Sequence, residues 1–185
     1  MIIVAAVAVA VISVPLFGGN LGALATLRVR HVWSAVTAIA LQVVIISVLE
    51  KVIPHALGSA LHLVSYGLAG WFVVANRHIR GLWVVALGGL LNVVAIAAND
   101  GVMPASDAAM RAAGIATGPN EFVNSGAVSH AKLAFLGDLF AWPKPLPLAN
   151  VFSIGDVLLA VGIGIVLHRA CGSRLSRRSL SQPTR

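Results

Sequence analysis

The sequence predicts an all-α, polytopic membrane protein of five transmembrane helices, and three observations predict it. Only 10% of its 185 residues are charged and 58% are hydrophobic, against about 25% charged in an ordinary soluble domain; the mean hydropathy is +0.93. Apolar stretches cover 1–17, 32–53, 57–75, 82–98 and 151–168, each roughly 17–22 residues, near the length that crosses a bilayer. Lys and Arg gather at the ends of these stretches, on alternating sides of the expected membrane.

Each element follows from local chemistry. The first stretch ends at Pro15 and the Gly18-Gly19 pair; without a positive n-region it reads as a retained helix, not a signal peptide. Leu21, Leu24 and Leu27 behind Asn20 suggest a short interfacial helix with an Asn cap. Glu50, Lys51 and Pro54 mark a tight turn, and Asn76-Arg77-His78-Ile79-Arg80 marks the next connection. The expected organisation is one membrane domain over 1–170 with a basic cytoplasmic tail over 171–185. Arg28, Arg30, Arg77, Arg80 and the arginines of the tail fall on one side, while Lys51, Arg111, Lys132 and Lys144 fall on the other. The positive-inside rule then places the N-terminus outside and the C-terminus in the cytoplasm of an inner (plasma) membrane. Trp33, Trp71 and Trp83 near the inner interface fit an aromatic belt.

The net charge of +7 does not indicate nucleic acid, because the basic residues form topological clusters and no face that could track phosphates. The single cysteine, Cys171, excludes an internal disulfide. No cofactor or metal motif is present: Asp100, Asp138 and Asp156 have carboxylates suited to a hard cation, but their spacing specifies no site. Membrane lipids and a membrane-protein partner or larger membrane complex are the expected partners.

The outer loop 99–150 is long for a connector. Asp107 to Ala113 should form a short helix capped by Ser106 or Asp107, Ser129 to Leu136 is weakly helical, and Trp142-Pro143-Lys144-Pro145-Leu146-Pro147 reads as rigid and extended. Beneath it, His62, Asn92 and Asp156 each lie about six residues, or roughly 9 Å, from the outer end of the third, fourth and fifth helices, with Gln42 deeper. A carboxylate there should face protein or water, and His62 is the natural partner for Asp156. Asn99 lies two turns beyond Asn92 on the same face. Such residues either serve a function or tie helices together.

Several strings, Asn99-Asp100-Gly101-Val102-Met103-Pro104, Ser129-His130, Leu136-Gly137-Asp138 and Ser153-Ile154-Gly155-Asp156, resemble a bacterial family of small membrane proteins of unknown function. In that family the first string usually reads Asn-Gly-Gly-x-Met-Pro; here Asp100 replaces the first Gly. The resemblance implies no activity, but it groups Asn99, Met103, Pro104, His130, Asp138 and Asp156. With His62, Asn92 and Asp100 these are the candidate ligand- or partner-binding residues. The leading expectation is a membrane-embedded binding or accessory protein rather than an enzyme, whose outer loop and polar pocket hold a partner protein, lipid headgroup or small ligand. The alternatives are an outer-leaflet enzyme acting on a lipid-linked substrate by Asp/His acid–base chemistry, and a small-solute or proton pathway along Gln42, Asn92, His62 and Asp156.

Overall fold

The computed structural model describes residues 2–45, 55–115, 125–126, 131–147 and 149–177. Helices dominate: α1 Ile2–Leu16, α2 Val32–Val44, α3 His55–Ala75, α4 Leu82–Ala98, α5 Asp107–Ala113, α6 Ile154–Ala170 and α7 Arg174–Arg177. Two small sheets sit in the segment between α4 and α6. β1 (Met103–Pro104) pairs in parallel with β2 (Ser125–Gly126), and β3 (Phe140–Trp142) pairs antiparallel with β4 (Asn150–Phe152).

The five-span membrane fold is overturned. No helix among the described residues is long and apolar enough to cross a membrane. α1, α4 and α6 have 15, 17 and 17 residues, or about 22–26 Å at 1.5 Å per residue, short of a hydrocarbon core of about 30 Å. α3 has 21 residues, but His55, Ser59, His62 and Ser65 interrupt its apolar run. The fold is also not purely helical. Val151 and Phe152, expected to open the last helix, lie in β4, and Ser153 caps a helix that starts at Ile154.

α4 and α6 run antiparallel and nearly touch, because glycines remove the side chains between them. A Cβ on Gly88 would lie 2.6 Å from the Gly155 carbonyl, and one on Gly162 would lie 2.6 Å from the Val85 nitrogen. Close approach through small residues lets backbone atoms pack directly. α1 lies beside α6, held by His168, whose ring contacts the Ser13 hydroxyl at 3.0 Å and the Ser173 hydroxyl at 2.7 Å. The Ser13 proton goes to the Ala10 carbonyl, so His168 donates to Ser13 and the trio is a strut, not a base activating a nucleophile. Gln42 of α2 donates to Ser65 of α3 at 3.2 Å, and Ser65 donates to the His62 carbonyl.

The two ends of the bundle differ chemically. At one end the buried Asn76 clamps both backbone groups of Arg30, at 2.7 and 2.8 Å, and the chain after α1 bonds to Cys171 and Arg174. The short helix expected near Leu21 forms as a 3-10 helix, Leu21–Thr26, with the Asn20 side chain accepting from Gly22. At the other end lie α5, the two sheets and the described acids. Ala38, Ala95 and Ala109 are buried beside larger residues such as Ile45, Leu82 and Met110, whereas Val9, Ile12, Val36, Ile39, Leu63, Val64 and Leu90 are exposed on the helix flanks.

Candidate functional site

The expected helix at Asp107–Ala113 forms, and Ser106 caps it by accepting from Ala109 at 3.1 Å. Its buried Ala109, Met110 and Ala113 pack on Val151 of β4, which seats the loop segment on its own small core. The proline-rich stretch is not extended. It turns after β3, and the Trp142 indole donates to the Pro147 carbonyl at 3.0 Å.

The segment is fastened to α4 by Asn99. Its amide donates to the Ala95 and Lys132 carbonyls, and its oxygen accepts from the Lys132 nitrogen, all at 2.8 Å. Asn99 is thus a buried backbone clamp, which uses the paired donor and acceptor that only a carboxamide offers. Asp100 is exposed and turns the chain in the left-handed region, φ 55, ahead of Gly101. A glycine fits that conformation without the Cβ penalty. Met103 and Pro104 are buried in β1, and Met103 packs with Ala95, Ile96, Tyr66 and Leu136. The Pro104 carbonyl accepts from the Asp138 nitrogen at 2.8 Å, and the Asp138 carbonyl accepts from Ser106 at 3.0 Å. Gly137 must be glycine here, since a Cβ would run into the Pro104 carbonyl oxygen. Asp138 itself is 3% exposed.

Asp156 has a role different from the expected one. It lies in the first turn of α6, not six residues deep, and forms a capping box with Ser153. Its Oδ2 accepts from the Ser153 nitrogen and the Ser153 hydroxyl accepts from the Asp156 nitrogen, both at 3.0 Å. Its Oδ1 accepts from Asn92 at 2.9 Å, while the Ser153 hydroxyl donates to the Asn92 oxygen at 2.9 Å. Asn92, Ser153 and Asp156 therefore form a closed triangle that joins α4 to the start of α6. The negative carboxylate also complements the helix dipole.

The expected His62–Asp156 pair is corrected: both Asp156 oxygens are engaged by Asn92 and Ser153. His62 is buried and stacks on Tyr66, ring centroids 5.8 Å apart. Burial holds its pKa below the ordinary imidazole value, and its Nδ1 has no hydrogen-bond partner among the described residues. His130 lies outside the described residues.

Tyr66 was missed by the sequence reading. It is the single tyrosine of the chain, and its pKa is pushed up to about 12 by burial first, then by the charges of Asp156 and Asp138. Its position one turn after His62 on the same face was the available signal. Tyr66 thus senses both acids, the one in the triangle and the one beneath β1. Among the described residues no group of three or more His, Cys, Asp or Glu could hold a metal ion. The Gln42–Ser65 pair and the Asn92–Ser153–Asp156 triangle are separate hydrogen-bonded groups.

A family model described as a family of unknown function, DUF5317, matches residues 26–168. No curated protein and no solved structure matches the chain. The chain belongs to the DUF5317 family of unknown function, and the match runs from before α2 into the last turn of α6 and takes in every candidate residue.

Proposed function

We propose that the chain is a non-enzymatic binding or accessory protein, and that the segment between α4 and α6 is the part that engages a partner chain. The observation that carries this reading is the closed polar triangle beneath that segment. Asp156, Asn92 and Ser153 satisfy one another, which suits a rigid mount. A general base needs a lone pair directed at substrate.

Above the mount, Phe135, Leu139, Phe140, Trp142 and Leu146 are exposed, Phe135 at 66%. Phe140 stacks on Phe152 with centroids 5.4 Å apart, so its ring is held in place. Exposed aromatic side chains on a hydrogen-bonded support are what protein interfaces use as anchors. The apolar helix flanks favour lipid as a second partner, with the protein residing at the cell membrane.

The test is purification in mild detergent at native expression, for the wild type and for a Phe140→Ser/Trp142→Ser variant. A stoichiometric companion that accompanies the wild type and is lost with the variant, at unchanged thermal stability, supports the proposal. Turnover of a lipid-linked substrate by the wild type that Asp138→Asn abolishes would overturn it.

A further inference from the structure

At the end of the bundle away from this segment, Arg77 and Arg80 from the α3–α4 connection and Arg169 from the last turn of α6 line one cavity of about 340 Å³. Gly81, at φ +98, brings the connection that carries Arg77 and Arg80 against α6; a Cβ there would lie 2.6 Å from the Ile165 side chain. The rest of the wall includes Ile79, Leu82 and Ala86, with Trp83 at the rim. The described acids Asp100, Asp107, Asp138 and Asp156 all belong to the opposite end. Among the described residues no carboxylate neutralises the three guanidinium groups.

We propose that this cavity binds the phosphate group of an anionic phospholipid. Guanidinium groups recognise phosphate through charge-assisted, forked hydrogen bonds. An apolar stripe beside the cavity favours a lipid over a free anion. Trp83, Leu87, Leu90 and Val94 are exposed, Trp83 at 68%, and their spacing puts them on one face of α4. That apolar stripe begins at the cavity rim and runs away from it, which is where the acyl chains of a bound headgroup lie. An indole at the junction of polar and apolar zones completes the match. The site is independent of the partner surface at the other end.

Native mass spectrometry of the full chain in detergent, titrated with phosphatidylglycerol, phosphatidylcholine or inorganic phosphate, tests the assignment. Phosphatidylglycerol should bind on the order of tenfold more tightly than phosphatidylcholine, given the attraction of each arginine for anionic lipid. The triple variant Arg77→Gln/Arg80→Gln/Arg169→Gln should remove that preference. Ala86→Trp, which fills the cavity and keeps every charge, should remove it too, so the result does not depend on how well the triple variant folds. Arg28→Gln/Arg174→Gln, basic residues of the same end outside the cavity, should leave it intact. An equal loss in Arg28→Gln/Arg174→Gln would mean diffuse attraction to a basic surface and would overturn the site. Displacement of phosphatidylglycerol by an equal concentration of inorganic phosphate would overturn the lipid assignment.

Discussion

Tyr66 and His62 report the environment between α3 and the acids without any ligand. Because Tyr66 is the single tyrosine, the ultraviolet absorbance of its phenolate titrates one site. The midpoint is expected at about 12, and Asp156→Asn should lower it by removing one of the two charges. A midpoint near 10, the ordinary phenol value, would show that neither burial nor the acids act on it. The folded pKa lies above the unfolded one, so the associated stability is present below pH 10 and is lost as pH rises toward 12. His62 behaves oppositely. Its folded pKa is lowered, so the fold keeps it neutral, and stability falls as pH drops below about 6.5. His62→Leu should flatten that acid limb in thermal unfolding curves. Leu133 occupies the left-handed region at φ 50, which costs a non-glycine residue about 1–2 kcal/mol and Asn less. Leu133→Asn should therefore raise the melting temperature.

α4 and α6 meet through glycines. Gly155→Ala places a methyl on the Asn92 side-chain oxygen, with backbone on the other side, so overpacking should cost about 1–3 kcal/mol. Ser153→Ala removes the cap and leaves the Asn92 oxygen without its donor, at about 1–2 kcal/mol in chemical denaturation. The two losses should not add, since both act on one triangle. Local rules were legible in the sequence here: Ser106 capping α5 and Asn20 capping the 3-10 helix follow from residue type and position. The same reading missed that Ser153-Ile154-Gly155-Asp156 is itself a capping signature of the S-x-x-D/E kind. It took Asp156 as a charge deep within a helix because the apolar run begins at Val151. That run contains a strand, a cap and a helix in succession, and hydropathy cannot separate them. The partner of Asp156 was illegible for a related reason. Asn92 reaches it across two helices only because Gly88 and Gly155 let the backbones touch, a distance that no spacing along one chain encodes.

For the whole molecule, composition conveyed how apolar the surface is but not how the chain is cut into elements. Five apolar stretches read as five spans; α4 keeps the expected bounds and α3 reaches 21 residues, yet no helix among the described residues is long and apolar enough to cross a membrane. Asn99, Met103, Pro104 and Asp138, grouped in the sequence by resemblance, fasten β1 and its neighbours to α4. Charge separation between the two ends was legible, because clusters of arginine in the sequence remain clusters wherever helices of similar length run antiparallel.

On the proposed reading this fastened segment presents its aromatic side chains to another protein. A photo-reactive amino acid placed at Phe140 in living cells, with one at Val9 on the flank of α1 as the comparison, tests it directly. A single discrete protein adduct is expected from position 140, and none of that mass from position 9. Adducts of lipid alone from position 140, or the same protein adduct from both positions, would contradict it.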